Sequence, residues 1–390
     1  MIGTRRITQA LIGVAFCAVI AACGGSGSPS GSPSSTSSTK LSASQQAALK
    51  ADIAKYEAVP SWTAPGPAIN VPSLAGKKVF VIPEIPNAFN DALNTTMTQI
   101  ANQAKLNWTV YANQGQVSQW AQGMSTAIAQ HANLIILSAA PDPGELQPQI
   151  AAAKAAGIPV VVTHFYDESS PPPPACTACA AGVSGLETAP FNLSAKIMAE
   201  WAVLQTGGQG GILVPVLSEV PITAGMVDSM ESVFHQYCSG CDVKVLTLPI
   251  TDLGTPAFQT ALQGAVQAMP DLKYVVDQID GMVPPTIAAL RLAGRSQAVG
   301  ITAYNGTPSF LDDITSHTFV TMDVGESAPW IAYASMDQAF RLLAGMPIVS
   351  DSNPVRVWYS GNISEAGSPA SLTQGYGNSY QTGFMQLWGL

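Results

Sequence analysis

From residue 78 to residue 344, short apolar runs alternate with helical patterns, and that alternation constrains the fold more than any other feature. Lys78-Val79-Phe80-Val81-Ile82 reads as a buried strand. Phe89, Leu93, Met97, Ile100 and Ala104 follow it at helical spacing. Further strands are predicted at 108–111, 134–137 and 158–163, with helices at 118–130 and 148–156. The cycle then restarts, with strands at 211–214, 243–246, 274–276 and 299–302 and helices at 224–237, 258–269, 284–293 and 330–344. Each strand–helix unit takes roughly 25–30 residues, the length of a right-handed crossover between parallel strands. Two such cycles predict an α/β protein of two doubly wound lobes. Ligands in such lobes sit beyond the carboxyl ends of the strands, here the loops after Ile82, Ser138, Thr163, Val214, Leu246, Val276 and Thr302.

The 390 residues suffice for two or three domains. Hydrophobic residues make up 47% and charged residues only 11%, which fits an ordered, Ala-rich chain. The net charge of −9 without any basic run excludes nucleic acid as the main partner. After residue 25 no apolar stretch approaches the length of a membrane span.

Residues 1–22 read as a secretory signal peptide. Arg5 and Arg6 give the positive start, and 11–20 is a short apolar core. Ile20-Ala21-Ala22-Cys23-Gly24 resembles a bacterial lipobox, which makes Cys23 the expected lipidation site. The bland alternative is ordinary cleavage with Cys23 incidental. Residues 24–39 are a Gly/Ser/Pro tether with no side chain to bury. A short helix is expected at 42–56, and Pro60, Pro65, Pro67 and Pro72 then mark a second connector.

Four further cysteines form two CxxC pairs, Cys176/Cys179 and Cys238/Cys241. An even count in an exported chain argues for disulfides, with a bridge inside each pair as first choice. Cross-pairing, a shared zinc site and a redox site are the alternatives that spacing leaves open.

From about Lys77 to Val357 the chain resembles type I solute-binding proteins of ABC importers, in their ribose- and other-sugar-binding branch. The resemblance rests on VFVIPEIPNAFNDAL, AKAAGIPVVVTHF, MPDLKYVVDQIDGM, AALRLAG and YNGTPSF, in that order. It implies two Rossmann-like lobes joined by a three-strand hinge. The expected N-terminal lobe is 76–182 plus 327–353, and the C-terminal lobe 183–326 plus 354–390. The tail after Ser360 is longer than the family pattern leads one to expect.

Carried over residue by residue, the resemblance implies a ligand cleft. Asn87 matches the ligand-loop Asn, Phe89 a ring that stacks on sugar, and Asn90 the place of a second ring. Glu84 belongs to the same loop, and Leu253 to the loop following Leu246. Asp280 stands beside an Asn/Asp pair whose Asn is replaced by Ile279. Tyr304-Asn305 matches a Phe-Asp pair, and Glu326 falls near a hinge position that is often Gln. His164 and Phe165 replace a usual Asp-Arg pair, and Met230 falls where a second Arg is usual. The fold inference survives these departures, but the identity "ribose" does not.

Structural readings stand beside these. Phe89 also heads a core stripe, and Asp280 suits a helix cap. His164 suits a capped loop, and Asn305-Gly306 is by itself a turn signal. Glu326 suits hinge scaffolding, while Trp120 and Trp201 read as core. The Lys and Arg residues of the body avoid the strand-end loops, which carry Glu84, Asp142, Glu145, Asp167, Glu168, Glu219, Asp252 and Asp280. Anionic ligands are therefore disfavoured, because a buried anion without a cationic partner carries a desolvation cost. Neutral carbohydrates rank first, amine-bearing or aromatic solutes second. Phe89 and Phe165 would then serve as stacking faces.

No GxSxG, P-loop, HExxH or GxGxxG occurs, and His131, His164, His235 and His317 are scattered. The expectation is a monomeric, cofactor-free, lipid-anchored binding protein on the outer face of the cell membrane. Its partners are a small solute and an ABC permease with its ATPase. A sensor feeding a receptor kinase is the alternative, and a surface-anchored hydrolase, which would need a nucleophile beside His164, the weaker one.

Overall fold

The computed structural model describes residues 40–139, 141–169, 182–218, 220, 222–295, 299–316, 319–350 and 353–390. The expected signal peptide, Cys23, the 24–39 tether, Cys176, Cys179, Glu219 and His317 lie outside the described residues.

The first helix, α1 (Ala43–Ile53), starts at a capping box. The Ser42 hydroxyl accepts from the Gln45 amide and the Gln45 side chain accepts from the Ser42 amide. The first lobe follows, with β1 (Lys78–Pro83), α2 (Ala88–Gln103), β2 (Asn107–Val110), α3 (Val117–Ala129), β3 (Leu134–Ser138), α4 (Gln147–Ala155), β4 (Val160–Asp167) and β5 (Gly185–Ala189). Its sheet is parallel with strand order β2-β1-β3-β4-β5. Val79, Val81, Ile135 and Val161 are fully buried, as strands covered by helices on both faces require.

The second lobe contains α5 (Phe191–Thr206), β6 (Gln209–Ser218), α6 (Thr223–Tyr237), β7 (Gly240–Pro249), α7 (Pro256–Ala268), β8 (Leu272–Val276), α8 (Val283–Leu292), β9 (Gly300–Asn305), α9 (Pro308–Thr315) and β10 (Val320–Glu326). Then α10 (Ala328–Leu343) packs back on the first lobe, and β11 (Val355–Tyr359) returns to pair antiparallel with β10. The second sheet runs β11-β10-β9-β8-β6-β7. Both lobes belong to one compact unit. Two doubly wound α/β lobes are thus present, each with helices on both faces of its sheet.

Two boundaries differ from the sequence reading. The first crossing lies at Pro190 rather than near Gly182, because β5 pairs with β4, Val161 opposite Gly185 and Val162 opposite Leu186. The tail does not stay with the second lobe. Ile363, Ala366, Ala370 and Tyr376 join its core, but α11 (Ser379–Trp388) buries Tyr380, Phe384 and Trp388 in the core of the first.

The N-terminal segment crosses as well. Leu41, Leu49 and Ile53 pack in the core of the second lobe, whereas Ile69, Val71 and Leu74 pack in that of the first. The two crossing segments meet each other. The Trp62 and Phe384 rings lie 5.2 Å apart, and Arg356 Nε donates to the Glu57 carbonyl at 3.0 Å. Together they complete a buried ion pair on α10. Arg341 Nε lies 2.6 Å from Asp337 Oδ2, Trp388 Nε1 donates to Asp337 Oδ1 at 2.8 Å, and Arg341 also donates to the Pro67 carbonyl. A buried ion pair needs such additional partners to offset its desolvation.

Candidate functional site

A cavity of about 490 Å³ lies where the strand-end loops of the two lobes face each other. The first lobe lines it with the β1–α2 loop, Ala139 and His164, and Phe191 lies at the crossing, at the start of α5. The second lobe contributes Val220, Ile222, Leu253, Ile279, Asp280, Tyr304, Asn305, Thr307 and Phe310. Of the expected residues, Glu84, Asn87, Phe89, Asn90, His164, Leu253, Asp280, Tyr304 and Asn305 all reach this cavity.

Several of them are also occupied by the protein itself. Asn87 caps α2, its Oδ1 accepting from the Asn90 amide at 2.8 Å. The Asn90 carboxamide donates to the Ile85 carbonyl at 2.9 Å. These bonds fix the loop that presents Phe89, whose ring lies 5.2 Å from that of His164. Burial raises the Glu84 carboxyl to about 7, against a smaller opposing pull from Asn90 and His164.

His164 has a left-handed backbone, φ 52°, at an irregularity between β4 and β5. Its amide donates to Glu187 Oε2 at 2.8 Å, and its Nε2 lies 2.7 Å from Glu326 Oε2. Tyr304 donates its hydroxyl to the same Glu326 oxygen, and the Asn353 carboxamide donates to Glu187. One buried network therefore spans β4, β5, β9, the end of β10 and the segment entering β11. Burial alone would lower the His164 imidazole, but Glu326, then Glu187 and Glu84, raise it. Burial drives Glu187 up to about 8 and Tyr304, also facing Glu326, well above its usual value.

On the second lobe, Asp280 Oδ2 accepts from the Thr307 amide at 2.6 Å, and Asp323 Oδ1 from the Gly306 amide at 2.9 Å. The two carboxyls face each other. Burial raises both, Asp280 to about 6 and Asp323 well above the usual range, while Asp280 Oδ1 and Asp323 Oδ2 are buried without a hydrogen-bond partner. A Cβ on Gly306 would stand 2.7 Å from the Gly325 backbone, so glycine is what lets β9 and β10 approach here. Asp277, beside them, is raised by burial to about 8 and accepts from the Thr286 hydroxyl at 2.9 Å.

Two expected ligand residues are not at the cavity. Phe165 points to the opposite face of the sheet, in the core with Phe80, Ile82 and Leu137, edge-on to Tyr166. Successive strand side chains alternate faces, so His164 and Phe165 cannot both face the cleft. Glu326 is fully buried behind His164 and Tyr304. Met230 is core, as is Trp120, whose indole donates to the Glu84 carbonyl. Sequence reasoning missed Phe191, Ile222, Thr307 and Phe310. Phe310 was within reach, since it lies in the quoted YNGTPSF just beyond a strand end.

Among the described residues no Lys or Arg lines the cavity, and no His/Cys/Asp/Glu cluster is arranged to hold a metal. Cys238 and Cys241 are bonded, with Cα atoms 5.2 Å apart. No described helix is long and apolar enough to cross a membrane.

Residues 78–347 match the periplasmic binding protein domain. The chain belongs to the type I periplasmic binding protein family. Its members among the structural neighbours are solute-binding proteins of ABC transporters, not enzymes. An Agrobacterium vitis solute-binding protein with bound α-D-tagatopyranose aligns at TM-score 0.64 and 17% identity, over 75% of this chain and 97% of that one. A Bacillus halodurans C-125 protein with bound myo-inositol aligns at 0.64 and 15%, over 76% and 99%. A ribose ABC transporter protein from Conexibacter woesei DSM 14684 aligns at 0.62 and 16%, over 78% and 97%. No curated protein matches the chain. At these identities the neighbours establish the periplasmic binding protein fold and leave the ligand open.

Proposed function

We propose that this periplasmic binding protein is the extracytoplasmic lipoprotein component of an ABC importer. It captures a small, non-anionic solute between its lobes and presents the closed form to the permease. The observation that supports this reading best is the cavity, built from both lobes at their strand ends and free of Lys and Arg among its described lining residues. Ligand contacts from both sides stabilise the closed state, and the permease reads that state.

Sugars and polyols, named for the structural neighbours, belong at the head of the ligand screen. Cys23 carries the lipid, the chain acts as a monomer, and Cys176–Cys179 bridges like Cys238–Cys241. A thermal-shift screen of sugars, polyols, nucleosides and amines tests the binding role, because a ligand of the folded state raises the melting temperature. A Cys23→Ala variant that stayed in the membrane fraction would remove the lipoprotein part.

A further inference from the structure

We infer that the cavity selects a protonated amine carried on an apolar or aromatic ring, rather than a polyhydroxylated ring. This deepens the solute-binding reading and rests on it.

A sugar site works by leaving planar polar groups free to take vicinal hydroxyls in pairs. Here most of those groups are committed within the protein. Asn87 Oδ1 caps α2, and the Asn90 carboxamide donates to Ile85. His164 Nε2 and the Tyr304 hydroxyl both go to Glu326. Asp280 Oδ2 holds the Thr307 amide, while its Oδ1 is buried without a partner, a second acceptor that suits an ammonium group. Apolar surface fills much of the remaining lining, with Phe89, Phe191 and Phe310 as rings and Ile222, Leu253 and Ile279 as aliphatic walls.

The charge balance points the same way. Glu84 lines the cavity as a carboxyl in apolar surroundings, next to Asn90 and His164. The one basic side chain among the described lining residues is His164, and it is committed to Glu326. An ammonium group beside Glu84 would supply the missing counter-charge, and aromatic faces add cation–π attraction. A polyhydroxylated ring would instead leave several of its hydroxyls buried against aliphatic walls without partners, which costs free energy for each.

The test uses the full-length protein with 2-phenylethylamine and its neutral counterpart 2-phenylethanol, beside D-ribose, D-tagatose and myo-inositol. Calorimetry is expected to give at least about tenfold tighter binding of the amine than of the alcohol, the size of one charge-assisted contact. The three polyols are expected to give no measurable heat. Glu84→Gln should abolish the preference, so that amine and alcohol bind alike. The wild-type comparison needs no variant and stands even if Glu84→Gln folds poorly. Tight binding of a polyol with no response to the amine would overturn the inference while leaving the binding-protein reading intact. Equal binding of amine and alcohol to the wild type would also overturn it. Silence from every solute of a broad screen would remove both.

Discussion

His164 Nε2 lies 2.7 Å from Glu326 Oε2, which joins a side chain at the cleft edge of the first lobe to the last residue before the chain leaves the second. Tyr304 donates to the same oxygen, while Glu326 Oε1 is buried without a hydrogen-bond partner. Removing the imidazole would leave a buried carboxylate with one donor. His164→Ala is therefore expected to cost about 3–5 kcal/mol, and Glu326→Gln less, since a carboxamide keeps both contacts without the charge. Urea unfolding checks this. Equal losses for the two variants would contradict this, because the contacts that a carboxamide keeps would then contribute nothing without the charge.

Stability should fall as pH rises through neutrality. Asp277 and Glu187 are raised by burial to about 8, far above a carboxyl in the unfolded chain. Between about pH 4 and 8 the folded state thus binds more protons than the unfolded one, and the unfolding free energy drops with pH, by up to about 1.4 kcal/mol per pH unit for each such group. His164 adds to the trend, because its folded value is raised and its paired form is lost as pH climbs through that value. Thermal unfolding is expected to give a higher Tm at pH 5 than at pH 8. Asp277→Asn, which still accepts from Thr286, should flatten the slope. A Tm that rose from pH 5 to pH 8 would contradict the account.

The tail is a structural member of the first lobe. Trp388 is fully buried and its indole satisfies Asp337 in the Asp337–Arg341 pair. Trp388→Ala is expected to destabilise by about 3–5 kcal/mol through the cavity it leaves, with the lost donor adding to that. Gly383 packs under Trp62, and a Cβ there would stand 2.2 Å from the indole ring. Gly383→Ala should cost about 1–3 kcal/mol by overpacking. Chemical denaturation measures both, and near-neutral values would mean that 378–390 can detach without disturbing the lobe.

Phe89→Ala is expected to weaken ligand binding more than Asp280→Asn. Phe89 offers the cavity a ring face held by the α2 cap. Asp280 is engaged mainly with Thr307 and Asp323, contacts a carboxamide can largely reproduce. Titration calorimetry with a ligand found by thermal shift ranks the two. The reverse order would place the main ligand contact on the second lobe.

The periodic elements were legible because their burial follows spacing. Phe80, Leu93 and Met97 are buried where a strand and a helical stripe put them. The Gly185–Ala189 strand was not, since GLETA is short, begins with Gly and buries a glutamate, a residue that no pattern marks as core. Glu187 is tolerated there only through His164 and Asn353, partners far away in sequence. Strand-end logic located most of the site loops. It could not assign faces within His164-Phe165, because the left-handed backbone at His164 is a tertiary feature. Nor could it foresee that Asn87 Oδ1, Asn90 Nδ2 and Asp280 Oδ2 each bond within the protein. The tail escaped for a similar reason: Tyr380, Phe384 and Trp388 lie at helical spacing, yet only the assembled first lobe supplies the surface that buries them.

Small-angle scattering of the full-length protein, without and with a saturating ligand found by thermal shift, tests the central claim most directly. Capture between two lobes predicts a smaller radius of gyration with ligand, lost in Phe89→Ala at the same concentration. An unchanged radius with a ligand that clearly raises the melting temperature would contradict closure around the cavity.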